Sequence, residues 1–149
     1  MMAELGGPLP RDGIDAKVES DIALVASGDA WICMIVVGES PDERVAGSVV
    51  LWSHDDDGDA ISEIGWMVLP DFQGRGVGKS AVSMLIERAR GSRRWGVVHA
   101  FAGVTNGASN GICRSLGFTL AGQRHAQFAG RTLFTNHWRL DLPVHAAGR

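Results

Sequence analysis

The segment Gln73-Gly74-Arg75-Gly76-Val77-Gly78-Lys79-Ser80 constrains the fold of this chain more than any other. Ahead of it, Ile61 to Leu69 has the length and β-branched content of a strand, ended by Pro70-Asp71. Behind it, Gly76 to Arg90 reads as an amphipathic helix, with Val77, Ala81, Leu85 and Ala89 in one stripe, widened by Val82 and Ile86. A strand, a tight glycine turn and a helix in that order start a βαβ crossover. Three glycines at alternate positions let backbone N–H groups approach a ligand closely. The helix N-terminus adds unpaired donors and a partial positive charge. Such a turn suits a diphosphate, and Arg75 and Lys79 can add charge to it.

The register of the glycines excludes two nucleotide-binding patterns. A P-loop needs glycine where Gln73 stands, counting back from Gly78-Lys79-Ser80, and the chain shows no later strand-end carboxylate suited to Mg²⁺. The dinucleotide fingerprint would put its third glycine at Lys79. A calcium loop at Ser53 to Ile64 fails as well, because its twelfth position is Ile64 in place of glutamate. His54 to Asp59 is expected to be a polar turn.

The rest of the chain sets the turn in a mixed sheet. Residues 1–12 read as a loose tail, and residues 13–27 as a short helix with Ile14, Val18, Ile22 and Val25 at helical spacing, or a poor strand at Asp21–Ala26. Strands are expected at Trp31–Val37, Arg44–Trp52 and Ile61–Leu69, and a fourth at Trp95–Val104. A short helix over Thr105–Leu116, closed by Gly117, precedes a terminal hairpin of Phe118–Phe128 and Arg131–Leu142 that turns at Ala129-Gly130. The predicted fold class is α/β (α+β): a mainly antiparallel mixed sheet with a central parallel βαβ unit and helices on its faces. At 149 residues the chain is expected to be a single domain, 1–149. A net charge of −3 gives no basic nucleic-acid surface, and no apolar run reaches membrane-spanning length. Cys33 and Cys113 lack metal spacing and read as reduced core thiols of a cytoplasmic protein; no metal site is expected.

A third pattern, [Arg/Gln]-x-x-Gly-x-[Gly/Ala], is met in full by Gln73, Gly76 and Gly78. It resembles the coenzyme A pyrophosphate loop of the GNAT N-acetyltransferases. The whole stretch from Glu63 to Gly76 is similar to that superfamily's strand-plus-loop motif. Downstream, Asn106-Gly107-Ala108-Ser109 and Leu116-Gly117-Phe118 resemble its second motif, in a form closest to the branch containing the ribosomal-protein N-terminal acetyltransferases.

The resemblance implies an acetyl-CoA-dependent N-acetyltransferase whose acceptor is a primary amine on a small molecule or peptide, attacked directly. It implies that the backbone of Met67 and Val68 pairs with the pantetheine arm, and that an N–H near Val68 polarises the thioester carbonyl. Gln73, Gly74, Arg75, Gly76, Val77, Gly78 and Lys79 would hold the pyrophosphate. Asn106 would contact the pantetheine side, and Ser109 or Arg114 the far end of the cofactor. Glu63 is either the general base, directly or through a water, or an edge-of-strand surface carboxylate. Where many members carry a tyrosine general acid this chain has Cys113, and it has no tyrosine at all. Cys113 is either that acid or a small core residue, with an acyl-cysteine route a third option. Trp52 and Trp66 are candidate walls of an acceptor pocket, as are His125 and His137.

The family's usual N-terminal strand and helices have only the residues before Trp31 to form from. The acceptor side is therefore expected to be open, or completed by another subunit in a homodimer. A non-catalytic acyl-CoA-binding module is the alternative.

Overall fold

The structure is a computed structural model that describes residues 19, 22, 23, 25–56, 58–128 and 130–144. Its strands are β1 (Ala30–Val37), β2 (Arg44–Asp56), β3 (Asp59–Val68), β4 (Val97–Gly103), β5 (Thr119–Phe128) and β6 (Arg131–Asp141). Helix α1 (Val77–Ser92) joins β3 to β4, and α2 (Gly107–Ser115) joins β4 to β5. The order in the sheet is β1-β2-β3-β4-β6-β5. Among the described residues only β3 and β4 run parallel; the other pairs are antiparallel. The expected mixed sheet with a central crossover is the one observed.

The core lies between the sheet and α1. Leu51, Ile64, Val82, Val98 and Cys113 are its largest fully buried side chains. In α1 the stripe Val82, Leu85, Ile86 and Ala89 is buried, while Val77 and Ala81 are partly covered. Removing this apolar area from water drives the helix onto the sheet. α2 ends as its sequence predicts: Gly117 is left-handed at φ 88°, and the Phe118 N–H donates to the Cys113 carbonyl.

Two expectations need correction. The polar stretch His54–Asp56 is strand, paired with Asp59–Ile61, because the long β2–β3 hairpin continues to its tip and turns at Gly58, φ 90°. The strand option at 21–26 fails, since Ile22, Ala23 and Val25–Ser27 are helical; Ile22 and Val25 are exposed. The tail at 1–12, the first part of the 13–27 helix with Ile14 and Val18, and Ala129 of the terminal turn lie outside the described residues.

Candidate active site

The site begins where β3 and β4 separate. Their parallel register is confined to Ser62 opposite Val98 and Glu63 opposite His99. Beyond Glu63, β3 stays paired with β2 up to Val68, but its other side has no strand partner among the described residues. Leu69 donates its N–H to the Ala46 carbonyl on β2, at 2.7 Å. Backbone groups alternate sides along a strand. Those of Met67 therefore face β2, where a Cβ on Gly47 would lie 1.9 Å from the Met67 oxygen. Those of Trp66 and Val68 face the gap. This corrects the expected Met67–Val68 pairing surface: Trp66 and Val68 present their groups to the gap, and Met67 does not. Gly47 is required here because any side chain would push β2 off β3 at the site.

The gap opens at its upper end onto the glycine turn. Gly74 and Gly76 are left-handed, at φ 77° and 75°, and a Cβ at either would meet nothing within 4 Å. Their backbone is open to a ligand. Gly76 caps α1 and offers no side-chain acceptor to the helix's first N–H groups. Arg75 and Lys79 are exposed beside it. Gly78 packs its Cα into the junction of β3 and α2; an added Cβ would sit 3.2 Å from Val68 and 3.3 Å from Ile112. The arrangement fits a diphosphate. Gln73 departs from the expected role, for its amide donates to the Val68 carbonyl at 2.9 Å and braces the turn from behind.

Below the gap, one face of the sheet carries a polar cluster. Glu63 sits at the last parallel pair, with Trp52 opposite it on β2 and His99 on β4. It is 19% exposed and accepts from or donates to His54 Nε2 at 2.8 Å. Burial holds the Glu63 carboxyl above its ordinary range, and the hydrogen bond to His54 opposes that shift. The surface-carboxylate reading fails on this geometry, because β3 is a central strand and Glu63 is mostly covered. His99 Nδ1 meets His137 Nε2 at 2.7 Å, and burial depresses both imidazoles, so each is neutral near pH 7. Phe101 stacks on His137, and the Arg124 guanidinium lies 4.2 Å over Phe101. Arg124 also forms a two-pronged pair with Asp56 at 2.8 and 2.9 Å, which ties β5 to the tip of the β2–β3 hairpin. The Arg124 hydrogen bond holds the Asp56 carboxyl below its usual range.

Helix α2 closes the gap from the other side. Asn106 caps it by accepting the Ser109 N–H at 3.1 Å. Ser109 is buried, and its hydroxyl accepts the Trp66 indole N–H at 3.2 Å. That corrects its expected place at the far end of a ligand: it is the anchor between α2 and β3. Trp66 is thereby fixed toward α2. Arg114, near the end of α2, is exposed and reaches toward the Trp138 ring, 5.7 Å away. Cys113 is fully buried, and burial pushes its thiol up to about 12. A thiol so reluctant to ionise and closed to ligands is a core residue, which removes it from the catalytic set.

Sequence reasoning missed four residues of this neighbourhood. Asn110, 6% exposed, donates to the Gly103 and Asn106 carbonyls and accepts from Asn136 and the Trp138 indole, so it joins α2, β4 and β6. His54, His99 and Arg124 meet on one face although they are far apart in the chain. The period-two placement of His99 and Phe101 was the one local signal available. His125, by contrast, packs on Phe134 of the terminal hairpin.

A groove of about 730 Å³ between β1 and α1 shares Arg75, Gly76 and Val77 with the turn. It is lined mostly by aliphatic groups, with Cys33, Ser80, Arg75 and Arg88, and among the described residues it has no carboxylate or imidazole.

The family model of the acetyltransferase (GNAT) domain matches residues 1–119. The chain belongs to the GNAT acetyltransferases. Solved structures share the fold. The yncA protein of Salmonella typhimurium, solved with its cofactor acetyl-CoA, is 28% identical, with a TM-score of 0.66 over 95% of this chain and 79% of its own. A ribosomal-protein-alanine N-acetyltransferase from Brucella melitensis is 24% identical, with a TM-score of 0.69 over 86% and 78% of the two chains. RimL, a ribosomal alpha-N-protein acetyltransferase in complex with coenzyme A, is 20% identical, with a TM-score of 0.68 over 90% and 74%. The last two likenesses establish the shared GNAT fold alone. No curated protein matches the sequence. Among the described residues, no helix of this GNAT chain is long and apolar enough to cross a membrane.

Proposed function

We propose that this chain, read as one acetyltransferase domain, moves the acetyl group of acetyl-coenzyme A onto a primary amine of a small molecule or a protein N-terminus by direct attack. The observation that carries the reading is the separation of β3 from β4 at Glu63, which puts a half-buried carboxylate at the foot of a gap whose head is an open glycine turn. The cofactor supplies an activated acyl group.

The protein's part follows from its residues. The backbone of Gly74–Lys79, with the Arg75 and Lys79 charges, holds the diphosphate. The N–H and carbonyl of Trp66 and the N–H of Val68 line the gap as an unpaired strand edge. The Val68 N–H stabilises negative charge developing on the acyl oxygen. Glu63 takes the proton that the attacking amine must lose. Asn106 and Ser109 hold α2 against the gap, and Arg114 stands at the outer end of that helix. Cys113 has no part in proton transfer.

The test measures coenzyme A affinity by calorimetry and thiol release with a panel of amines. Glu63→Gln is expected to bind coenzyme A as wild type does and to lose about 10²–10⁴-fold in turnover. No thiol release with any amine would overturn the enzyme reading. Tight binding alongside that silence would favour a non-catalytic acyl-CoA-binding module, the reading that the burial of Cys113 leaves open.

A further inference from the structure

His54 is placed to do more than flank the site. We propose that His54 is a positioning residue for Glu63: the two share one proton, and the Asp55 carbonyl dictates which imidazole nitrogen faces the carboxylate. The proposal rests on the reading of Glu63 as the base, and it names the residue that makes that base available.

The hydrogen-bond geometry allows few protonation states. His54 Nδ1 lies 3.0 Å from the Asp55 carbonyl oxygen, and Nε2 lies 2.8 Å from Glu63 Oε1. A carbonyl oxygen only accepts, so Nδ1 carries a hydrogen. If the ring is neutral, Nε2 is then a bare lone pair and Glu63 must bring the proton between them. If Glu63 is ionised, Nε2 carries that proton and the ring is an imidazolium. Both descriptions put one proton between Nε2 and Oε1 and leave the pair with no net charge. Of the remaining arrangements, the fully protonated pair at low pH also satisfies both contacts but carries a net positive charge, and every other one sets two lone pairs against each other at Glu63 or at Asp55. The ring also stacks on Trp52, with centroids 5.4 Å apart and planes 20° from parallel, which favours this tilt of the ring.

The consequence concerns when Glu63 can act. Burial on a central strand disfavours its carboxylate, and His54 is the neighbour that most opposes this. Other charged or titratable groups face the same spot. Asp56 on β2 opposes ionisation of Glu63 and Arg124 on β5 favours it, but those two are paired with each other. His99 on β4 and His137 on β6 are held neutral by burial, and Arg139 on β6 depresses both. His54 is thus the group able to hold Glu63 ionised and aimed, and the amine's proton passes to a carboxylate already hydrogen-bonded on its other side.

Two experiments test the pairing. The first needs no activity: ¹⁵N-resolved NMR of the histidine rings over a pH series. The expected result is a His54 ring with hydrogen on Nδ1 throughout, either doubly protonated or as the Nδ1–H tautomer. The Nε2–H tautomer with bare Nδ1 would overturn the proposal whether or not the protein transfers acetyl groups. The second is the pH profile of kcat/KM. With His54→Ala the acidic limb is expected to move up by about 1 unit or more. With His54→Gln, which restores an uncharged donor near Nε2, kcat is expected to recover more than the limb does. A limb at the wild-type position in both variants sinks the pairing. If His54→Ala fails to fold, His54→Gln and the wild-type NMR series still separate a paired His54 from an unpaired one.

Discussion

Alanine substituted at Gly47 would put a methyl carbon 1.9 Å from the Met67 carbonyl oxygen, 2.9 Å from its carbon and 3.0 Å from the Val68 Cα. Ordinary C···O contacts begin near 3.3 Å, so β2 and β3 must part by about 1.4 Å at this point. All three clashing atoms are backbone and cannot rotate away. The Leu69–Ala46 hydrogen bond, at 2.7 Å, lies beside the clash and is the first to stretch. One or two lost ladder bonds plus backbone strain give an expected destabilisation of about 2–4 kcal/mol. Urea unfolding reads this as a midpoint lowered by about 1–2 M. The same movement displaces Val68, whose N–H faces the gap, and a shift of about 1 Å in a positioned group costs on the order of 10²-fold in rate. The assay pairs urea titration with kcat/KM on whichever amine is accepted. A variant within about 0.5 kcal/mol of wild type and equally active would refute the account of Gly47 as the residue that seats β3.

Asn110→Leu takes the acceptor from the Trp138 indole and the Asn136 amide, while the Gly103 and Asn106 carbonyls each keep a backbone donor, and thermal unfolding is expected to show a loss of about 2–4 kcal/mol. Cys113→Ala is expected to cost stability and keep turnover per folded molecule within about 3-fold, whereas loss of a general acid would cost about 10² or more in a rate assay. Gly111→Ala, in the interior of α2 with nothing within 4 Å of the new carbon, is expected to raise stability by about 0.5–1 kcal/mol in the same unfolding measurement. A drop there would mean that α2 is more crowded than its geometry shows.

Local pattern carried a large share of the fold. The order of strands and helices, the parallel crossover, the α1 stripe and the Gly117 cap were legible because each depends on neighbours a few residues apart. The glycine turn was legible for the same reason: its conformation is written in the φ values that only glycine adopts readily. The His54–Asp56 stretch was misjudged because polar composition suggests a loop, while pairing with Asp59–Ile61 keeps it in a strand.

The site's chemistry depended on contacts that no local pattern encodes. Gln73, read as a ligand group, turns back to brace Val68, and Ser109 anchors Trp66. Glu63 joins His54 nine residues away across a hairpin, and Arg124 finds Asp56 at a separation of 68. The sequence alone determined that the chain carries a strand–glycine turn–helix unit suited to a diphosphate. The tertiary structure decided which way each polar side chain is spent, because burial and hydrogen bonding depend on what the sheet brings opposite a residue, and that is set by register across strands distant in the chain.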